Sequence, residues 1–95
     1  MNLNNLIFDM ASLPSTVEET VDRLMMVLDD EQRLSIAVME EDKLIDLHFS
    51  LGIVIRNAFG LHDQDSQLLK SLGYFVHPDD ASMSIIHALW KELAN

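Results

Sequence analysis

The chain of 95 residues contains no cysteine, which excludes disulfide bonds, thiolate metal ligands and cysteine nucleophiles. Basic residues are also scarce: six Lys and Arg residues face 16 Asp and Glu residues, and the formal net charge is −10. Such a chain lacks the basic stripe that neutralises nucleic-acid phosphates, and an anionic membrane surface would repel it. We therefore expect neither a nucleic acid nor a membrane as its partner.

Glycine and proline are rare, at three and two residues, and no turn signal separates alternating apolar runs. The longest apolar-rich stretch, residues 44–61, is interrupted by Asp46, His48, Arg56 and Asn57 and predicts a core helix rather than a membrane span. No basic segment followed by an apolar run marks a signal peptide. These absences, with the lack of cysteine, predict a helical cytoplasmic protein.

Apolar residues recur at helical spacing along most of the chain, which predicts an all-α fold. We expect residues 13–95 to form one domain, a compact array of four to six helices, preceded by an arm or short helix at residues 1–12. The most apolar helix is predicted at about residues 42–59. Because its apolar positions cover most of its circumference, this helix is expected at the centre of the array.

Several short patterns predict where the other helices begin. Ser15 and Glu18 have the spacing of a capping box, and Asp29 is placed to cap a second helix. A short helix is predicted at about residues 65–72, with Asp63 or Asp65 as its cap. Pro78 suits the first position of the last helix, because its missing N–H would have no partner there.

Two polar groups interrupt the apolar pattern in the second half of the chain. Arg56 is expected to reach Asp79 or Asp80 if the central and last helices pack together, which would form an Arg–carboxylate clamp. The alternative is a polar pocket for a ligand or a reaction, built from His48, Arg56, His77 and Asp80. The clamp is favoured, because ion-pair networks resemble sites without performing chemistry. The complete candidate cluster is His48, Arg56, Asn57, His77, Asp79 and Asp80.

No spacing typical of catalysis or metal binding occurs in the sequence. There is no HExxH motif, no pair of histidines one helical turn apart, and the glycine and glutamate that would complete a calcium loop after Asp63 are missing. No nucleophile, base and orienting residue stand at a recognisable spacing. We therefore predict no cofactor, no metal and no enzymatic activity.

The negative charge is concentrated in the first half of the chain. Residues 1–47 carry 11 acidic and three basic side chains, a net of −8, whereas residues 48–95 carry five and three, a net of −2. This asymmetry indicates either a solvated face or a surface that steers a basic partner. The candidate acidic surface consists of Glu18, Glu19, Asp22, Asp29, Asp30, Glu31, Glu40, Glu41 and Asp42.

Three spaced motifs resemble a family of small bacterial all-helical domains that is catalogued only as a domain of unknown function. They are H-x-x-L-G at residues 48–52, I-R-N-x-F-G-L at residues 55–61 and H-P-D-D-A-S at residues 77–82. The likeness extends over about residues 13–93. His62 departs from the pattern, since the family tends to have Trp after the Gly-Leu pair. The resemblance implies a shared fold and no particular activity.

The leading functional hypothesis is a non-enzymatic interaction protein. Small acidic cytoplasmic proteins without catalytic motifs often act as inhibitors or immunity proteins, and the acidic surface would mask a basic toxin or nuclease. One alternative is a ligand-binding or enzymatic role for the polar pocket. Another is a homo-oligomeric assembly module that uses the N-terminal arm or the Leu/Met surface for dimerisation.

Overall fold

The computed structural model describes residues 13–73 and 75–94, and the predicted arm at residues 1–12 lies outside them. The described residues contain five α-helices, one 3₁₀ helix and no strand, which confirms the all-α fold. The α-helices are α1 Val17–Val27, α2 Asp30–Ala37, α3 Leu51–Ala58, α4 Gln67–Ser71 and α5 Pro78–Ala94, and the 3₁₀ helix is η1 Glu41–Leu47. No described helix has the length and apolar character needed to cross a membrane.

Side-chain caps begin the first two helices. Asp29 caps α2 as predicted, and the structure adds Gln32 as its partner in a reciprocal capping box. At α1 the predicted cap is displaced by one residue: Thr16 Oγ1 accepts the N–H of Glu19 at 3.2 Å, and Glu19 in turn accepts the N–H of Ser15 at 3.1 Å. Ser15 with Glu18 and Thr16 with Glu19 have the same types of side chain at the same spacing, so the sequence pattern did not show which pair forms the cap.

The prediction of one continuous helix over residues 42–59 is wrong. The chain forms η1 and α3 with a break between Leu47 and Leu51, where Ser50 has φ −119° and ψ −90°. The break exposes side chains that a continuous buried helix would have covered: Phe49 is 81% and Ile45 is 59% exposed. Periodicity did not reveal this break, because apolar residues continue on both sides of it.

The last helix, and not the predicted central one, lies at the centre of the fold. α5 packs against α1, α2, α3 and η1. Its length of 17 residues lets it span the molecule, and it has an apolar face that is fully buried. The indole N–H of Trp90 on this helix donates to the carbonyl of Met39 at 2.9 Å and ties the α2–η1 loop to the core. The buried apolar residues of α5 are Ala81, Ile85, Ile86 and Leu89.

The connection from α3 to α5 contains the short helix α4 and two sharp turns. α4 is shorter than the predicted helix over residues 65–72, and Ser66 rather than an aspartate caps it by accepting the N–H of Leu69 at 3.1 Å. Gly60 has φ +66°, a value that favours glycine at the end of α3. Phe75 also has a positive φ, +63°, although it carries a bulky side chain, and it is fully exposed.

Candidate functional site

The polar residues between α3 and α5 form a hydrogen-bonded cluster that centres on Arg56. Its side chain is only 8% exposed. Its Nη1 donates to Ser82 Oγ at 2.9 Å, its Nη2 donates to the carbonyl of His48 at 3.4 Å, and its Nε lies 3.5 Å from Asp79 Oδ1. The cluster joins the break before α3, helix α3 itself and the first turn of α5. We call His48, Arg56, His77, Asp79 and Ser82 the Arg56 cluster.

The sequence around Arg56 makes room for its guanidinium. A Cβ at Gly52, one turn before Arg56 on α3, would lie 3.1 Å from Arg56 Nη1 and 3.7 Å from Ser82 Oγ. Glycine therefore allows the arginine side chain to fold back over α3 and meet α5. The break before α3 contributes as well, because the carbonyl of His48 accepts Arg56 Nη2.

Ser82 is completely buried, and its hydroxyl has two partners. The Oγ accepts from Arg56 and donates to the backbone carbonyl of Asp79 at 2.9 Å. Its single hydroxyl proton is thereby used within the first turn of α5. The arrangement suits a structural contact better than a nucleophile, which would need its hydroxyl aimed at a substrate and at a base.

The two histidines of the Arg56 cluster differ in their surroundings. His48 lies with Nε2 3.9 Å from Asp79 Oδ2, while its Nδ1 is buried without a hydrogen-bond partner among the described residues. The mostly exposed His77 accepts the N–H of Asp79 through Nδ1 at 3.1 Å, which caps α5. Because Nδ1 accepts a hydrogen there, the 3.8 Å separation of Nδ1 from Asp79 Oδ2 is not an ion pair.

The structure resolves which predicted residues come together. Arg56 approaches Asp79 and not Asp80, which is exposed and lies near His87 and Lys91 on the outer face of α5. Asn57 is exposed as well and takes no part in the contacts of the cluster. The pocket predicted from His48, Arg56, His77 and Asp80 is therefore not assembled as expected, since Asp80 is absent from it and the Arg56 donors point to protein acceptors. Within the described residues, no three His, Asp or Glu side chains are arranged to hold a metal ion.

All nine residues of the acidic surface are exposed. Some of them also have partners within the protein. Asp29 caps α2, Asp30 pairs with Arg33, and Glu41 Oε2 lies 3.9 Å from His87 Nδ1. The contacts of Asp30 and Glu41 are exposed ion pairs, which contribute little to stability compared with core packing.

A cavity of about 550 Å³ lies beside α4, away from the Arg56 cluster except for His77. The loop after α3, helix α4 and the connector to α5 line it. Sequence reasoning singled out neither Lys70 nor Phe75, both of which border it. The sequence has no signal for the positive φ of Phe75 beyond the neighbouring glycine at position 73. We call this space the α4 cavity.

The fold and its interior define a small all-α domain in which a buried arginine clamps one helix to the start of another. The chain belongs to the family described as Domain of unknown function (DUF6794), which matches residues 13–93. No curated protein matches the chain. No solved structure matches it either.

Proposed function

We propose that this domain is a non-enzymatic interaction protein whose acidic N-terminal half binds a protein with a basic surface. The observation that carries the proposal is the exposure of large apolar side chains among the carboxylates. Met26 is 85% exposed, Val38 71% and Leu34 63%. Apolar side chains left in solvent and bordered by charged groups are typical of surfaces that a partner covers.

The charge of this half favours a partner of opposite sign. The acidic surface extends over α1, α2 and the start of η1, and complementary charge raises association rates and excludes acidic competitors. A toxin or nuclease with a basic active site is the kind of protein that such a surface would mask. The proposal includes the cytoplasmic location and bacterial origin expected from the sequence.

Two observations weigh against the alternatives. A homo-oligomer with two-fold symmetry would bring the acidic surface of one copy against the same surface of the other, and like charges repel. A catalytic or ligand-binding role for the Arg56 cluster would need donors that face a substrate, whereas Arg56 donates to Ser82 and to the carbonyl of His48. Both observations support a hetero-partner for the exposed surface.

The test is binding to the product of the neighbouring gene at low and high salt, with two variants matched in charge. The first variant, Glu31→Gln/Glu40→Gln/Asp42→Asn, removes three carboxylates of the acidic surface. The control, Asp63→Asn/Asp65→Asn/Glu92→Gln, removes three carboxylates outside it. We expect the first variant to weaken binding and flatten its salt dependence, with the control unchanged.

A third variant tests the apolar part of the surface. Leu34→Gln/Val38→Gln changes two exposed side chains, so the fold is expected to remain while binding weakens. The proposal fails if no salt-sensitive partner exists, if the partner is itself acidic, or if the two charge variants behave alike. Sedimentation showing a dimer that the Leu34/Val38 variant dissociates would favour the assembly module instead.

A further inference from the structure

The α4 cavity has the size and the walls of a small-molecule site. Its volume of about 550 Å³ lies within the range of about 300–1,000 Å³ that ligand pockets occupy. Leu61, Leu69 and Val76 contribute apolar walls, and Phe75 borders it. A ligand with an apolar body would bury that body here.

The charge of the α4 cavity is opposite to that of the chain. Lys70, His62 and His77 line it, and none of the described residues that line it is acidic. This is unusual for a protein in which 16 acidic residues face six Lys and Arg and four His. Within residues 13–73 and 75–94, no ion pair includes Lys70 or His62. A cavity of this kind complements an anion.

His77 adds a directional donor to the charge of Lys70. Its Nδ1 accepts the N–H of Asp79 at 3.1 Å, so the ring proton of the neutral imidazole is on Nε2. That N–H remains as a donor at the mostly exposed end of the ring. Lys70 and His77 both line the α4 cavity, so they supply an ammonium and an imidazole N–H from which a carboxylate can accept charge-assisted hydrogen bonds.

Phe75 gives a second, independent indication. Its backbone has φ +63°, a region that bulky residues rarely adopt, and its ring is fully exposed beside the cavity. Residues held in such sparsely populated backbone regions cluster at active sites and ligand clamps. Phe75 and its neighbour Val76 both border the α4 cavity, where they offer apolar surface to a ligand.

From these observations we infer that the α4 cavity binds a small monocarboxylate with an aliphatic chain. The carboxylate lies at Lys70 and His77, and the aliphatic chain packs against the partly exposed Leu69 and Val76. The class is a monoanion because Lys70 is the one permanently charged group among the described lining residues. The described residues that line the α4 cavity lie outside the acidic surface, so this inference stands or falls separately from the proposed partner.

Octanoate below its micelle concentration is the probe, titrated into the isotopically labelled chain and followed by NMR and calorimetry. We expect shifts confined to the residues around α4. Lys70→Gln is expected to weaken binding about tenfold, the value of one charged hydrogen bond. The matched control is Lys91→Gln, another exposed lysine, on the outer face of α5. We expect it to leave the affinity unchanged.

Two further ligands separate the contributions that the carboxylate charge and the aliphatic chain of octanoate make to binding. Octanol has the same chain without the carboxylate, and acetate has the carboxylate without the chain. Both are expected to bind at least about tenfold more weakly than octanoate. Because Lys70 is exposed, its variant is expected to fold, and circular dichroism checks that it does. The inference is overturned if octanoate leaves the α4 residues unshifted, if octanol binds as tightly, or if Lys70→Gln and Lys91→Gln have the same affinity.

Discussion

The guanidinium Nη1 of Arg56 on α3 lies 2.9 Å from the buried Oγ of Ser82 on α5, 26 residues later in the chain. This contact connects the helix that follows the break to the helix at the centre of the fold. It also explains why a charged side chain is accommodated in the interior, because its donors meet a hydroxyl, a carbonyl and a carboxylate. Substitutions in the Arg56 cluster are accordingly expected to lower the stability of the protein rather than to act directly on its binding to a partner.

The first prediction concerns the loss of the arginine donors. Arg56→Met keeps much of the apolar stem and removes the guanidinium, so we expect the free energy of unfolding to fall by about 2 kcal/mol. The loss is limited because Asp79 is half exposed and water can solvate it. Urea denaturation measures the change. Asp80→Asn, on the same turn but outside the cluster, should change stability by less than about 0.5 kcal/mol, and an equal loss in both would contradict the clamp.

The second prediction is that Gly52→Ala destabilises this protein, although the same substitution ordinarily stabilises a helix. Near a helix start alanine is ordinarily favoured over glycine by about 0.5 kcal/mol. In the wild-type chain, however, the new Cβ would lie 3.1 Å from Arg56 Nη1, so we expect Gly52→Ala to destabilise the protein by about 1 kcal/mol.

A double-mutant cycle tests the cause of that destabilisation. In the Arg56→Ala background the 3.1 Å contact with Nη1 is gone, while the contact with the Leu47 carbonyl at 3.4 Å remains, so Gly52→Ala should be more favourable by about 1 kcal/mol than in the wild-type background. Thermal and urea unfolding of the four proteins give the coupling energy. If Gly52→Ala has the same effect in both backgrounds, Gly52 does not serve to make room for the guanidinium.

The third prediction separates the effect of Asp29 as the cap of α2 from the effect of its negative charge. Asp29 Oδ1 accepts the N–H of Gln32 at 2.8 Å, and Gln32 Oε1 accepts the N–H of Asp29 at 3.0 Å. Asp29→Ala should cost about 1 kcal/mol, because it leaves an N–H of the first turn without its acceptor. Asp29→Asn keeps a carbonyl oxygen there and should cost only a few tenths of that amount, which chemical denaturation resolves.

The same pair of variants bears on partner binding. Asn and Ala remove the same negative charge from the acidic surface, so both should reduce the salt dependence of binding equally. A difference between them in salt dependence would mean that the cap, rather than the charge, affects the interface.

The fourth prediction concerns the backbone at Phe75. A residue with a side chain costs about 1–2 kcal/mol at φ +63°, while glycine adopts this region freely. We expect Phe75→Gly to be more stable than Phe75→Ala by about 1 kcal/mol, because both lose the same exposed ring and only glycine relieves the strain. Thermal unfolding checks the order, and a more stable alanine variant would contradict the strain.

Local chemistry determined much of the fold from the sequence. Asp29 with Gln32 marks the start of α2, and Pro78 marks the start of α5, because caps and proline act through neighbouring backbone atoms. The all-α class also follows from the sequence, since helical periodicity continues through most of the chain. Arg56 was predicted to reach Asp79 or Asp80, because packing of the central helix against the last one would bring an arginine close to the carboxylates at the start of that helix.

Only the tertiary structure decided the features that depend on distant contacts. The break at residues 48–50 has no local signal, and it places the His48 carbonyl where Arg56 donates to it. The choice of Asp79 over Asp80 depends on which side of the first turn of α5 faces α3. A periodic pattern gives the faces of one helix, whereas the packing of two helices decides which face meets which residue. For the same reason α5, rather than the more apolar segment at residues 42–59, lies at the centre of the fold.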